Sequence, residues 1–300
     1  MYNFDYSKLP IKNIQKIFPI AGGYVNLSFS VDASNKKYFL KLQPNTKSNF
    51  FDYELSSLKE LTDKNIPVPQ IINKGELDNN SFLLLEFIEN GHAYPESYRK
   101  LGKIVANMHK NINSLNLFGF SHNFNGGTIE FTNKWTSSWG DLFIKSRMDK
   151  LCSEIYKKRL FSISDLLLYE DIRKIMLKSL YYHQSSPSLL HGDLWKGNIL
   201  FQKNGDPILC DPVCLYGDRE FDIGYTLALE KFPLDFYQEY NNIYPLCVGY
   251  EKRIEFYKLY VFMIHLFAIG TDFYDKVKDT NTDQAPSTKV AMAKVIKAFK

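Results

Sequence analysis

No apolar run in this 300-residue chain reaches the roughly 18 residues that a membrane-spanning helix requires. The opening stretch, MYNFDYSKLP, lacks the basic-then-apolar pattern of a secretory signal. Cysteine is scarce: Cys152, Cys210, Cys214 and Cys247 are the only four, and none forms a C-x-x-C pair. Reduced, buried thiols are therefore expected rather than a disulfide framework. The formal net charge is only +4, and no block of five or six basic residues occurs. A concentrated basic face, the usual footprint of a nucleic-acid binder, is missing. Internal repeats and low-complexity tracts are absent too. Together these gaps point to a soluble cytoplasmic protein with no nucleic-acid or membrane partner.

What is present fits a globular chain. Three hundred residues suit one large domain or two modest lobes. A chain of that length buries roughly 75% of the surface that its unfolded form exposes. The apolar share is 45% and the charged share 23%, both ordinary values. Aromatics reach 15%, mostly Phe and Tyr, which implies a well-packed interior but names no ligand.

The pattern changes along the chain. Residues 13–19 and 24–31 read as strands around Ala21-Gly22-Gly23, and residues 37–42 as a third strand. Phe50, Phe51, Leu55, Leu58 and Leu61 recur at helical spacing. Pro67-Val68-Pro69 breaks the chain before Ile71-Ile72, and residues 81–88 read as a short buried strand. Beyond Glu89-Asn90-Gly91, helical spacing covers residues 97–110, 136–159 and 165–183. Two short strands follow, Ile199 to Phe201 and Pro207 to Cys210, joined by the turn Asn204-Gly205. Residues 218–230, 233–241, 251–270 and 286–299 are again helical. The expected class is α+β: a small antiparallel-sheet lobe with one main helix (residues 1–88), then a larger, mainly helical lobe (residues 89–300). The expected hinge is residues 86–91, and ligands favour clefts between such lobes.

Phosphoryl transfer needs phosphates held in place, metal to absorb charge, and an acceptor hydroxyl relieved of its proton. Each need has a candidate. In His191-Gly192-Asp193, followed by Asn198, the D-x-x-x-x-N spacing is that of a kinase catalytic loop. Asp193 would take the hydroxyl proton and Asn198 would hold Mg²⁺. The spacing alone recurs by chance; the flanking His-Gly and the hairpin that follows strengthen it. Asp211 ends a strand thirteen residues later and is the second candidate metal ligand, although a strand-end Asp often only caps a turn. Lys41, in Phe39-Leu40-Lys41-Leu42, would reach the phosphates of ATP, with Glu54 on the next helix as its ion-pair partner. Alone, each would be an ordinary surface residue. Gly22 and Gly23 could bring backbone N–H groups to a phosphate, though a Gly-Gly turn is usually only a turn. Glu86, Phe87 and Ile88 would face adenine, with Leu83 to Leu85 as an apolar wall. Asp222 would support the catalytic-loop backbone. Only ten residues separate Asp211 from Asp222, too few for a long activation segment. A small or end-on acceptor is therefore favoured over an extended peptide.

These segments carry a resemblance. LHGDLWKGNIL (residues 190–200), DPVCLYGDREFD (211–222), NFNGGTIEFTNKW (123–135) and FYQEYNNIYPLCVGY (236–250) resemble the fructosamine/ketosamine-3-kinases. That family belongs to the aminoglycoside phosphotransferase and choline kinase group, with a protein-kinase-like fold. The resemblance runs over nearly the whole chain. It implies ATP and Mg²⁺ as cosubstrates and phosphorylation of the 3-hydroxyl of a ketosamine, free or protein-bound, in deglycation. It implies Asp193 as proton acceptor, Asn198 and Asp211 as metal ligands, and Lys41 with Glu54 as phosphate anchor. Trp195 would stack on the sugar, or else merely anchor its loop, and His265 falls at a substrate position. The sequence departs from the family at Ile129-Glu130 and around His265, which leaves the acceptor open. Two other readings stay open: a different small-molecule kinase of the same fold, and a nucleotide-binding pseudokinase.

Overall fold

The computed structural model describes residues 5–20, 26–34, 36–125, 129–270 and 287–300. The first region is a five-stranded antiparallel sheet in the order β1-β2-β3-β5-β4, with β1 at Ile14–Ile20, β2 at Leu27–Ala33, β3 at Lys36–Gln43, β4 at Ile71–Leu77 and β5 at Asn80–Glu86. One helix, α1 (Asp52–Asp63), lies across it. The period-2 alternation of β3 decides which side chains serve which face. Leu40 and Leu42 join Val31, Phe82 and Leu84 in one core. The other face meets α1, where Leu83 and Leu85 pack on Phe51 and Leu58. Lys41 pairs across the sheet with Leu83 and so stands on that second face. Of the apolar wall expected from Leu83 to Leu85, Leu84 faces away from Lys41, because neighbouring strand residues point to opposite sides.

β4 is a full strand, longer than Ile71-Ile72 suggest. Its hairpin to β5 turns at Asp78 and Asn79, which both have positive φ (47° and 64°). That is the conformation of a tight two-residue turn whose twist matches the flanking strands. β5 ends at Glu86 rather than residue 88.

The second region is helical: α2 (Pro95–His109), α3 (Asp149–Lys157), α4 (Ile163–Tyr182), α5 (Glu220–Ala228), α6 (Leu234–Ile243), α7 (Tyr250–Ile269) and α8 (Thr288–Phe299). The helical stretch expected at 136–159 is interrupted by a π-helix, Asp141–Met148, in which the Asp149 N–H reaches back five residues to the Ile144 carbonyl. Three two-stranded ribbons complete the region: β6 (Phe124–Asn125) with β7 (Glu130–Phe131), β8 (Ser188–Leu190) with β11 (Leu215–Gly217), and β9 (Ile199–Phe201) with β10 (Pro207–Leu209). Only the last of these was expected; two- and three-residue strands leave no periodicity to read. The aromatic surplus collects around Trp139, Phe143, Phe221 and Tyr257, with ring centroids 5.0–6.5 Å apart. Each such pair adds roughly 0.5–1.5 kcal/mol beyond area burial. Among the described residues no helix is long and apolar enough to cross a membrane.

Candidate active site

The segment after β8 forms the base of the cleft. Gly192 has φ +83°, and an added Cβ would lie 1.9 Å from the Val213 carbonyl oxygen, so only glycine fits there. That close approach lets the Val213 N–H donate to the His191 carbonyl at 2.7 Å. His191 itself is fully buried. Its Nε2 lies 3.0 Å from the Cys210 carbonyl, and its Nδ1 accepts from the Asp193 N–H at 3.3 Å. Burial lowers its pKa, so the neutral ring, protonated on Nε2, satisfies both bonds. The loop carrying Asp193 is thereby tied to the strand end carrying Asp211.

Asp222, in the first turn of α5, is fully buried. Its carboxylate accepts from the His191 N–H (2.7 Å) and the Gly192 N–H (2.9 Å). His109 completes its shell at 3.1 Å and is itself 2.8 Å from the Tyr240 hydroxyl. A buried carboxylate accepting several N–H bonds is a firm support for a loop, because leaving those donors unpaired costs about 1–3 kcal/mol each.

Asn198 donates through Nδ2 to the Asp193 carboxylate at 2.8 Å and to its backbone carbonyl at 2.9 Å. That leaves Oδ1 as the Asn198 atom that can reach a metal. Burial pushes the Asp193 carboxyl up to about 7, with Asp211 and Asp222 adding to the rise and the Asn198 hydrogen bond opposing it. A carboxylate poised near neutral pH is suited to general-base work.

Lys41 bonds both carboxylate oxygens of Glu54, at 2.8 and 2.9 Å, and lies 3.1 Å from Asp211 Oδ1. Burial opposes the ammonium, but Glu54 and Asp211 together hold Lys41 above the ordinary lysine range, so it stays charged. Asp211 is about half exposed and sits at φ +52°, a strained conformation for a non-glycine residue of the kind that functional sites tolerate. The donor set fits Mg²⁺ and polyphosphate: a carboxylate, an amide oxygen and a buried cation, all hard groups. Gly22 and Gly23 lie outside the described residues. Glu86, Phe87 and Ile88 border a cavity of about 290 Å³ with Gln202, Lys203 and Asn204. The Glu86 N–H is committed to the Gln70 carbonyl at 2.8 Å.

On the other side of Asp193 is a mostly apolar cavity of about 210 Å³, bordered by Phe124, Phe131, Arg147, Tyr225, Tyr260 and His265. His265 therefore reaches the same space as Asp193; burial lowers its pKa. Trp195 does not border it. An added Cβ on Gly197 would touch the Trp195 ring at 2.2–2.6 Å, so the indole closes over its own loop. Of the departing pair, Ile129 is buried, and Glu130 faces a neighbouring polar cavity of about 450 Å³ beside Tyr53.

A chain of hydrogen bonds between residues distant in sequence joins these parts. Arg147, in the π-helix, donates to the Asn133 side-chain oxygen and, at 3.2 Å, to the Leu142 carbonyl. Asn133 donates to the Tyr53 hydroxyl at 3.2 Å, and Tyr53 donates to the Cys214 carbonyl at 2.6 Å. Tyr53 immediately precedes Glu54. The Cys214 N–H donates to Ser57 Oγ at 3.1 Å, and the Tyr216 hydroxyl to Glu60 at 2.7 Å. So α1 is docked along the segment that follows Asp211. The partners lie up to 161 residues apart, and no local spacing betrays them.

Several proteins are similar to this chain over most of its length. A Staphylococcus aureus protein named "probable ketoamine kinase" is 40% identical over 269 residues, covering 90% of this chain and 93% of its own. The chloroplastic protein-ribulosamine 3-kinase of Arabidopsis thaliana is 30% identical, covering 87% of this chain and 79% of its own. A Haemophilus somnus structure, provisionally named a fructosamine-3-kinase, superposes with a TM-score of 0.82 at 27% identity, over 96% of this chain and 92% of that one. A thermostable mutant of the aminoglycoside phosphotransferase APH(4)-Ia shares the fold at a TM-score of 0.62 and 11% identity, over 95% of this chain and 94% of that one. The fructosamine kinase family model matches residues 6–284, and the chain belongs to that family.

Proposed function

We propose that the protein is an ATP-dependent kinase that phosphorylates the 3-hydroxyl of a ketosamine, acting in the cytoplasm as a step in deglycation. The observation that carries this reading is the Asp193–Asn198 pair, 2.8 Å apart, near enough to Asp211 to feel its charge, with Asp211 3.1 Å from the Glu54-held Lys41, in a chain of this family. Lys41, kept in place by Glu54, would hold phosphate oxygens. Asn198 Oδ1 and the Asp211 carboxylate would hold Mg²⁺, which when bound supplies charge neutralisation on the transferring phosphoryl group. Asp193 would accept the hydroxyl proton, and its raised pKa makes it a competent base near neutral pH. The acceptor would enter the 210 Å³ cavity beside Asp193, which suits a small sugar-like group.

The test is an ADP-release screen with Mg²⁺-ATP over ribuloselysine, erythruloselysine and fructoselysine, with phosphorus NMR to place the new phosphate on O3. Turnover of one of these ketosamines with a 3-phosphate product is expected. Phosphorylation of kanamycin or choline but of no ketosamine would sink the reading.

A further inference from the structure

Arg147 stands out within the cavity beside Asp193. Only 3% of its surface is exposed. Among the described residues it has no ion-pair partner: its hydrogen bonds go to the Asn133 amide oxygen and the Leu142 carbonyl, neither of which is charged. Burying a guanidinium without a counter-charge costs several kcal/mol, even with neutral oxygens in attendance. Two other arginines are comparably buried, and both are accounted for. Arg253 is held by both carboxylate oxygens of Glu220, at 2.8 and 2.6 Å. Arg219 donates to Tyr240, Tyr244 and Pro245 oxygens and lies over the Tyr244 ring at 3.6 Å. Arg147 has only two acceptors for its five N–H groups, and it alone of the three borders the cavity that contains Asp193.

The placement is that of a recognition group. The Arg147 guanidinium lies over the Phe131 ring at 5.8 Å, which limits its tilt. Tyr225 and Tyr260 border the cavity as well, and both feel the charges of Asp193 and of Arg147. The remaining lining is uncharged: phenylalanines, aliphatic residues and His265, whose ring burial keeps neutral. The cavity therefore has one fixed positive charge, one carboxyl group that titrates near neutral pH, and mostly apolar walls. Such surroundings amplify a charge-assisted hydrogen bond.

We infer that Arg147 is the anion-binding element of the acceptor subsite, and that the acceptor is a ketosamine bearing an anionic oxygen group within reach of it. Two sources supply that chemistry. One is the carboxylate of a free amino acid glycated on its α-amine, and the other is a phosphate on the sugar. The inference rests on the kinase reading above and narrows its substrate class.

Three acceptors separate the possibilities: the ribulosamine of leucine, the ribulosamine of leucinamide, and the leucinamide compound carrying a 5-phosphate on its sugar. Initial ADP release gives kcat/KM for each. One of the two anionic acceptors is expected to exceed the neutral amide by roughly 10- to 100-fold, mainly through KM, and the better one identifies the source of the anion. In Arg147→Met that preference should collapse to near unity, while Arg147→Lys should keep part of it. The ratio is taken within each variant, so a smaller folded fraction cancels. Equal kcat/KM for all three acceptors in the wild type would overturn the inference and leave the kinase reading standing. So would an unchanged ratio in Arg147→Met. Failure to phosphorylate any ketosamine, including the ribuloselysine of the earlier screen, would remove the kinase reading and the inference with it.

Discussion

The two sides of Asp193 are built on opposite electrostatic plans. On the nucleotide side the buried cation is answered: Lys41 lies within 3.1 Å of both Glu54 and Asp211. On the acceptor side, among the described residues, Arg147 has only neutral oxygens and an aromatic face. The nucleotide side rests on a central strand and a docked helix. The acceptor side is assembled from a π-helix, short ribbons and the end of α7. A paired cluster holds its geometry by itself and suits a constant ligand such as a polyphosphate. An unpaired cation in an apolar cavity is left for the variable ligand to complete.

The comparison can be broken in several places. The largest expected effect is that of Asp193→Asn, which should keep ATP affinity and lower turnover by about 10²-fold or more, as for loss of a positioned base; unchanged turnover would end the assignment. Lys41→Met should lower kcat/KM for ATP by roughly 10- to 100-fold with little change in acceptor KM. If the acceptor constant moved instead, the two sides would not be separable. Asp222→Ala should cost about 2 kcal/mol of unfolding free energy, read by urea titration, because two buried N–H groups lose their acceptor.

A pH effect comes next. His191 and His265 are both held neutral by burial, with folded pKa values below the unfolded value. Their contribution to stability is complete above the unfolded pKa, about 6.5, and is lost as pH falls below it, by up to about 1.4 kcal/mol per pH unit for each group. Asp193, whose folded pKa of about 7 lies above its unfolded value, acts in the opposite sense and gains stability as pH falls, so the test is a difference: between pH 7.5 and 5.5 the urea midpoint of His191→Gln should fall less, or rise more, than that of the wild type. The smallest effect belongs to Tyr53→Phe, which should cost about 1 kcal/mol and raise KM on both sides a few-fold, since Tyr53 touches the segments that carry both.

How much of this was legible in the sequence follows from distance along the chain. Asp193 and Asn198 lie on one short loop, and Lys41 and Glu54 are one strand-to-helix step apart, so spacing alone brings them together. The hairpin at Asn204-Gly205 is visible for the same reason. Arg147, Asn133 and Tyr53 are 14 and 80 residues apart and meet only through tertiary packing. The π-helix has the same apolar spacing as an α-helix at this length, so 136–159 reads as one continuous helix. β4 hides because Asn73, Lys74 and Glu76 mask its alternation. Its turn residues, Asp78-Asn79, were the available clue. The acceptor side is less legible for a further reason: its recognition group works by lacking a partner, and no motif records a missing partner.

The docking of α1 has one more consequence. Tyr53, Ser57 and Glu60 fasten three successive turns of that helix to residues 214–216 through direct hydrogen bonds. At about 1 kcal/mol each, these bonds would hold a swung-out helix to a population on the order of one per cent or less. Glu54 is thus carried to Lys41 by bonds that the protein makes within itself, so the ion pair stands ready before any ligand arrives.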